Sequence, residues 1–159
     1  MAVSRLAADL PFYALDPASL TAAPAEAVSK EHAAHHARKV GVEDMRRVDV
    51  VVCGSVAVNR RGTRLGKGAG YSDIEVALLQ EAGLIGPSTV IVTTVHPLQV
   101  IDEVMPETEY DFSVDLIATP GEVIECVSIL TCGNSVRRRS GAGFLSCVSR
   151  GSRGAALAG

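Results

Sequence analysis

The sequence contains no tryptophan, and aromatic residues make up only 4% of its 159 residues. Its hydrophobic core must therefore be built mainly from Val, Leu, Ile and Ala. No apolar run approaches the ~20 residues of a membrane-spanning helix, and Met1–Leu10 lacks the apolar stretch of a signal peptide. These absences predict a soluble, cytoplasmic protein without a membrane partner.

An excess of basic charge is also missing, because the formal net charge is -3. A protein that binds nucleic acid mainly through phosphates needs a surplus of Lys and Arg. We therefore do not expect a nucleic-acid partner, although the run Arg137–Arg139 is basic. The four cysteines form no C-x-x-C pair, which excludes a zinc ribbon and a thioredoxin-type site. We expect reduced thiols.

The sequence does contain alternating strand and helix patterns. The nearly continuous β-branched run 48–58 predicts a strand that is buried on both faces of a parallel sheet. An amphipathic helix over 72–84 and a second buried strand over 89–95 complete a βαβ crossover. Further strands are predicted at 114–118 and 123–130. The pattern predicts a three-layer α/β fold with a mainly parallel sheet and flanking helices.

The two ends of the chain differ from this pattern. Residues 1–27 are rich in Ala and Pro and predict a loop-rich segment, with a short helix that begins at Asp16-Pro17. Ser29–Lys39 predicts a surface helix. Residues 133–159 are dominated by Gly, Ser, Ala and Arg and predict a disordered tail. The folded domain is therefore expected over 1–132.

A glycine-rich loop and its flanks, G-T-R-L-G-K-G-A-G-Y-S-D at 62–73, form the strongest candidate site. Glycines allow successive backbone N–H groups to turn inward, and the following helix adds its positive N-terminal end. The loop has three such glycines, two cations and a carboxylate suited to Mg²⁺: Gly66, Gly68 and Gly70, Arg64 and Lys67, and Asp73. It matches neither the Walker A nor the Rossmann pattern. The alternatives are a polyphosphate site and a solvated flexible loop.

Three other groups of polar residues are weaker candidates for a functional site. Asp111 and Asp115, at the start of a predicted strand, are either metal ligands or turn and edge residues. His96 follows the second buried strand, at the ligand-binding edge of open α/β sheets, and is either a proton-transfer group or a structural hydrogen-bonding residue. A histidine cluster on the surface helix contains a zinc-like pair but has no evident third ligand: His32, His35 and His36.

Five segments together resemble the 5-formyltetrahydrofolate cyclo-ligase family, also called methenyltetrahydrofolate synthetase. They are VDVVVCGSVAV (48–58), the glycine loop (62–73), TTVHPLQV (93–100), YDFSVD (110–115) and ATPGEVI (118–124). Their order and spacing are most similar to the branch of synthetase-domain-containing proteins. The resemblance covers residues 48–125.

The resemblance implies the family's CoA-transferase-like α/β fold and a ligase of folate and one-carbon metabolism. The implied reaction uses ATP and Mg²⁺ to close 5-formyltetrahydrofolate to 5,10-methenyltetrahydrofolate, with ADP and phosphate as products. In that chemistry the formyl oxygen takes the γ-phosphoryl group, and N10 then displaces phosphate. The implied partners are a reduced folate and ATP.

Individual positions match the family's functional residues. The phosphate-binding loop corresponds to Arg64, Gly66, Lys67, Gly68 and Gly70, and an aromatic position beside nucleotide and folate corresponds to Tyr71. Asp73 and Asp111 match the acidic positions associated with Mg²⁺, and Gln99 matches a glutamine on the folate side. Arg64, Lys67 and Tyr71 would be the catalytic residues.

The chain departs from the family pattern in several places. Ser72 stands where a second Tyr is usual, and Pro97 replaces a usual Asp. The family's longer N-terminal region, with a nucleotide-contacting Lys, has no counterpart here, and the tail after Glu125 is atypical. We therefore expect an N-terminally truncated member with an incomplete fold on that side. The alternatives are a non-catalytic nucleotide- or RNA-binding module and a truncated pseudo-enzyme.

Overall fold

The computed structural model describes residue 2 and residues 10–29, 32–108 and 111–126, together with the backbone of strands at 129–132, 135–140 and 144–149. The chain divides into two compact units. The first comprises Met1–Val51 and Gly66–Thr89, and the second comprises Val52–Leu65 and Val90–Gly159. Among the described residues, no helix is long and apolar enough to span a membrane.

The first unit combines a two-stranded antiparallel sheet with helices. Its strands and helices are β1 (Phe12–Ala14), α1 (Pro24–Ala27), α2 (Ala33–His36), β2 (Arg38–Val40) and α3 (Tyr71–Glu81). Phe12 lies opposite Val40 in the sheet, and both pack in a buried cluster with Leu79 and Leu84. Full burial of such a side chain contributes about 1.5–3 kcal/mol. This cluster therefore fixes α3, which follows the glycine loop, against the sheet.

The helix predicted over Ser29–Lys39 is wrong for most of its length. Only α2 is helical, and Arg38–Val40 form a strand. Pairing with β1 and burial of Val40 override the helix propensity of this Ala-rich run. Residues 30 and 31 of that prediction lie outside the described residues.

The helix predicted to begin at Asp16-Pro17 is also wrong. Asp16 Oδ1 accepts a hydrogen bond from Ala18 N at 3.0 Å and forms a turn. Aspartate favours such turns because its side chain bonds to backbone two residues ahead. The short helix of this region is α1, with Pro24 at its first position.

Helix α3 confirms the helix predicted over 72–84 but ends earlier. Gly83 has a φ of +68°, and the N–H groups of Gly83 and Leu84 donate to Gln80 O at 3.0 Å and Leu79 O at 2.9 Å. This is the Schellman pattern, in which a left-handed glycine ends a helix. The helix is therefore terminated by Gly83, before Gly86-Pro87.

The second unit is built from mixed sheets. The strands that lie wholly or mainly in this unit form a four-stranded sheet in the order β3-β6-β8-β9 and a three-stranded sheet in the order β5-β4-β7. Their bounds are β3 Val50–Gly54, β4 Ala57–Asn59, β5 Arg64–Leu65, β6 Val90–Thr94, β7 Val100–Ile101, β8 Leu116–Ala118 and β9 Val123–Glu125. β6–β8 and β4–β7 are parallel pairs, whereas β8–β9 and β4–β5 are antiparallel. Val58, Val114 and Ile117 are fully buried in its core. The predicted α/β class is confirmed.

The first predicted strand, 48–58, is divided into two strands. β3 ends at Gly54 and β4 begins at Ala57, because the carbonyl groups of Ser55 and Val56 bond to the Gln99 side chain. Burial on both faces is also wrong, since Val52 in β3 is 64% exposed while Cys53 is buried. The second predicted strand is confirmed as β6.

The C-terminal predictions differ from the backbone in two respects. The strand expected over 123–130 is β9 followed by a separate strand, β10 (Ile129–Cys132). Within the segment expected to be disordered, β11 (Ser135–Ser140) and β12 (Phe144–Ser149) form an antiparallel sheet with β10. β-Branched and aromatic residues in these runs favour extended backbone. The remaining residues of 133–159 lie outside the described part, and the domain boundary after 132 stays a prediction.

Two of the four cysteines have described side chains. Cys53 and Cys126 are free and buried. Burial, with the negative charge of Asp115 nearby, raises the pKa of the Cys126 thiol to about 11. This thiol is therefore protonated at neutral pH and behaves as a small apolar side chain.

Candidate functional site

The glycine loop, residues Gly66–Gly70, is exposed and leads directly into α3. Gly68 and Gly70 have φ values of +86° and +66°. An ideal Cβ built on either glycine would meet no described atom within 4 Å. Glycine is therefore required here by the left-handed backbone, not by close packing. The open space beside this backbone fits a concavity in which N–H groups bind an anion.

The N-terminus of α3 adds to the same local site. Gly70 occupies the N-cap position and has no side chain with which to cap the first turn. The N–H groups of the first turn and the helix dipole there favour a negatively charged ligand. Lys67 is exposed in the loop, and Tyr71, the first helical residue, is 47% exposed. Asp73 lies in the first turn of the helix. Six of the sequence-predicted residues thus lie together within 66–73.

Arg64, in the second unit, is buried although it was expected to contact phosphate. Its side chain belongs to β5, and the residue is 7% exposed. The guanidinium carbon lies 4.1 Å from the centroid of the Phe112 ring, which is a cation–π contact. Phe112 in turn packs against the core that contains Val114 and Ile117. Arg64 is therefore held by the protein and organises the residues around it.

Asp111 lies in the same part of the second unit with an exposed carboxylate. Its Oδ2 accepts hydrogen bonds from Thr108 N at 2.7 Å and from Thr108 Oγ1 at 3.0 Å. These two bonds, with a smaller contribution from the Arg64 charge, lower the pKa of Asp111 below its ordinary value. The carboxylate is thus ionised at neutral pH. It closes a turn and still exposes oxygen to solvent, where a hard cation prefers to bind.

Asp115 has a different environment from Asp111. Its Oδ2 accepts a hydrogen bond from Ile91 N at 2.8 Å, and its backbone oxygen accepts one from Cys126 N. The residue joins β6 to the segments around β8 and β9. The geometry gives Asp115 a structural position inside the sheet.

Gln99 and His96 form a reciprocal cap on the turn that follows β6. Gln99 Oε1 accepts a hydrogen bond from His96 N at 2.7 Å, and His96 Nδ1 accepts one from Leu98 N at 3.2 Å. Gln99 Nε2 donates to Ser55 O at 2.9 Å and to Val56 O at 3.0 Å. Gln99, expected on the folate side, therefore uses its amide to join the end of β3 to this turn. His96 corresponds to the structural interpretation, with Nδ1 as an acceptor.

The histidine cluster is in the first unit. His32 Nδ1 lies 2.9 Å from Ser29 Oγ at the start of the α2 region. Within the described part of the chain, no group of three or more His, Cys, Asp or Glu side chains is arranged to hold a metal ion. The described residues therefore provide no third ligand for the zinc-like pair His32 and His36.

A cleft of about 760 Å³ in the first unit was missed by sequence reasoning. Its walls come from three separate segments, 14–19, 36–40 and 44–46. Arg38 and Asp44 form an exposed ion pair at 3.5 Å within this lining, which also includes Arg46. Because the β1–β2 pairing and the Arg38–Asp44 ion pair bring together segments that are separate in the chain, no local motif could indicate this cleft.

These observations can be compared with known protein families. A family model described as the 5-formyltetrahydrofolate cyclo-ligase family matches residues 9–120, most of the chain. The protein belongs to this family, and the resemblance drawn from the motifs is confirmed. The matched range contains every sequence-predicted site residue from Arg64 to Asp111.

The individual relatives are methenyltetrahydrofolate synthase domain-containing proteins. The chain is 46% identical over 88 residues to the one from Homo sapiens, which covers 54% of this chain and 22% of that protein. It is 43% identical over 93 residues to the one from Bos taurus, covering 57% and 24%. The match in Danio rerio is 44% over 89 residues, covering 54% and 23%. The matched part of this chain thus spans about a quarter of the length of these relatives.

Proposed function

We propose that this chain is a 5-formyltetrahydrofolate cyclo-ligase that depends on ATP and Mg²⁺. The observation that carries the proposal is the family match over residues 9–120, which includes the exposed glycine loop. ATP supplies the phosphoryl group that the formyl oxygen takes, and N10 attack on the formyl carbon then releases phosphate. The products are 5,10-methenyltetrahydrofolate, ADP and phosphate.

The glycine loop binds the phosphates in this proposal. Positive φ at Gly68 and Gly70 turns the loop backbone toward a bound anion, and the N-terminus of α3 adds the positive end of its dipole for phosphate oxygens. The exposed Lys67 ammonium adds a point charge beside them. Phosphoryl transfer needs mostly positioning and neutralisation of phosphate charge, which these groups provide.

The two carboxylates fit the metal. Mg²⁺ is usually bound by one or two carboxylates together with substrate phosphates and water, so a larger protein ligand set is not required. Asp73 follows the loop in the first helical turn, and Asp111 is ionised and exposed. Mg²⁺ bound by either carboxylate would neutralise phosphate charge.

Tyr71 and Gln99 would contribute to folate binding in different ways. The half-exposed Tyr71 ring offers an apolar face for a nucleotide or pterin ring. The Gln99 amide is bonded to the backbone at 55, 56 and 96. It would shape the folate side by holding that backbone.

The principal test is Lys67→Ala, assayed through the absorbance of the methenyltetrahydrofolate product. We expect kcat/KM to fall about 100-fold or more, as is typical when one charge-stabilising donor is removed. Because Lys67 is exposed, the free energy of unfolding should change by less than about 0.5 kcal/mol. Lys39→Ala, an exposed lysine in β2, is the matched control and should retain activity.

A second pair of variants addresses the metal. Asp73→Asn should raise the Mg²⁺ concentration needed for turnover, whereas Glu81→Gln at the other end of α3 should not. An inactive wild-type chain, or full activity in both Lys67→Ala and Asp73→Asn, would overturn the proposal. Oligonucleotide binding without turnover would favour the non-catalytic module instead.

A further inference from the structure

The Phe112 ring has a contact that no motif indicates. Arg64 is 7% exposed, and its guanidinium carbon lies 4.1 Å from the ring centroid. A cation over an aromatic face at this distance is attracted by the ring quadrupole. The attraction is stronger away from water, because screening by solvent is weaker there. The ring therefore holds the buried guanidinium group of Arg64 in a defined position.

The ring itself is held from behind by the core of the second unit. Phe112 packs against the cluster that contains Val114 and Ile117. Val114 N donates to Gly62 O at 2.9 Å, which ties this segment to the turn before β5. Asn59 Oδ1 braces the same turn by accepting from the backbone N–H groups at 61 and 63. Arg64 and Phe112 thus face each other from two segments that are fixed together.

Asp111, the residue before Phe112, is fixed by the same arrangement. Thr108 holds its carboxylate through two hydrogen bonds, and the Arg64 charge acts on it. A displacement of the ring would therefore move the backbone that carries Asp111 and remove the aromatic contact of the Arg64 guanidinium. Asp111 is assigned to metal binding in the proposed function, and the family resemblance of the sequence implies that Arg64 binds phosphate.

We infer that Phe112 is a positioning residue, whose ring face orients Arg64 and whose place in the core fixes Asp111, so that both bind MgATP in a set geometry. The inference rests on the proposed function for the identity of the ligand. Phe112 itself contacts neither ATP nor folate in this scheme. Its contribution is to remove the cost of ordering two charged groups when the ligand binds.

The test compares Phe112→Leu with Phe112→Tyr in the full chain. Leucine keeps apolar contact but removes the ring face, whereas tyrosine keeps the face. Calorimetric titration with MgATP should give a Kd raised about two- to thirtyfold in Phe112→Leu, the range of a partly buried cation–π contact. Phe112→Tyr should remain within about twofold of wild type. Ile91→Val, a half-buried residue of the same cluster, controls for a general loosening of the core.

A double-mutant cycle tests whether the effect passes through Arg64. Lysine keeps the charge but lacks the planar group that stacks on a ring. In an Arg64→Lys background, Phe112→Leu should therefore weaken MgATP binding by much less than it does in wild type. Additive effects would overturn the inference, as would equal Kd values for Phe112→Leu and Phe112→Tyr. A lower melting temperature with unchanged Kd would also overturn it, since it would show a merely structural ring.

The outcomes separate this inference from the proposed function. MgATP binding with the expected Phe112 effect, but no methenyltetrahydrofolate product, would overturn the cyclo-ligase proposal and leave the positioning role standing. Formation of the product with an unchanged Kd for MgATP in Phe112→Leu would overturn the positioning role and leave the cyclo-ligase proposal standing. A wild-type chain that binds no MgATP would overturn both.

Discussion

The candidate residues of the two units are held in opposite ways. In the first unit they lie in the glycine loop, and in the second unit they are Arg64, Gln99 and Asp111. In the loop, the side chain of Lys67 is exposed and the shape is set by backbone φ values at Gly68 and Gly70. In the second unit, stacking and hydrogen bonds fix Arg64, Gln99 and Asp111. Side-chain substitutions in the loop that leave its glycines in place should therefore affect ligand binding with little loss of stability. Substitutions in the second unit should affect both.

The largest expected difference in stability is between alanine substitutions at two glycines with similar backbone angles. Gly62 in the second unit has a φ of +92°, and Gly68 in the loop has +86°. A Cβ at Gly62 would collide with the backbone oxygen of Val114, whereas one at Gly68 would meet no described atom within 4 Å. Gly62→Ala should lower the free energy of unfolding by about 3 kcal/mol or more, from strain plus overpacking. Gly68→Ala should cost about 1–2 kcal/mol.

Urea denaturation followed by circular dichroism measures both values. Gly121→Ala is the matched control, because its φ is not in the left-handed region and its Cβ would meet no described atom within 4 Å. It should be close to neutral. Equal losses for Gly62→Ala and Gly68→Ala would contradict the contrast, since they would show that φ alone sets the cost in both units.

The same contrast explains which features could be predicted from sequence. The glycine loop, α3 and β6 depend on signals that are contiguous in the chain: glycine spacing, a 3.6-residue period and a β-branched run. All three were found at nearly the right bounds. The family motifs span the same contiguous segments, so the resemblance was also visible from the sequence.

Features that depend on distant partners were missed. The break between β3 and β4 exists because Gln99, 44 residues from Ser55, bonds to the carbonyl groups there. The run around Arg38 is a strand because β1 lies beside it. The burial of Arg64 against Phe112 likewise joins separate segments. A pattern within a short window contains no information about such partners.

Gln99→Glu is expected to have an intermediate effect. The remaining side-chain oxygen can still accept from His96 N, but the group that donated to Ser55 O and Val56 O becomes a second oxygen. Two carbonyl groups then face a carboxylate, and lost or repelled partners of this kind cost about 1–3 kcal/mol. The melting temperature should fall. Under the proposed function, KM for the folate should also rise because the β3–β4 junction loosens.

Gln80→Glu, an exposed change on α3, makes the matching control for the added charge. Its melting temperature should stay close to that of wild type. If Gln99→Glu were as stable as this control, the amide contacts would not hold the junction, and the division of the predicted strand would need another cause.

The smallest expected effect is the pH dependence that comes from Asp111. Its pKa is lowered in the folded state, chiefly by the hydrogen bonds from Thr108 and less by Arg64. A lowered folded pKa contributes stability that is complete above the unfolded pKa of about 4 and is lost as pH falls through the folded value. The melting temperature of wild type should therefore fall more steeply below about pH 4 than that of Asp111→Asn.

Added salt distinguishes the two contributions to this pH dependence of the melting temperature, the Thr108 hydrogen bonds and the Arg64 charge. Screening at high ionic strength weakens the Arg64 contribution but leaves the Thr108 hydrogen bonds, so most of the difference between wild type and Asp111→Asn should persist. Asp102→Asn, which removes another exposed carboxylate of the second unit, is the control for the loss of one negative charge. Equal slopes for wild type and Asp111→Asn would mean that Thr108 does not hold the carboxylate. The turn that carries Asp111 would then be held by the backbone hydrogen bond from Asp111 N to Thr108 O and by the packing of Phe112, and the second unit would be less rigid at this point than the side-chain contacts indicate.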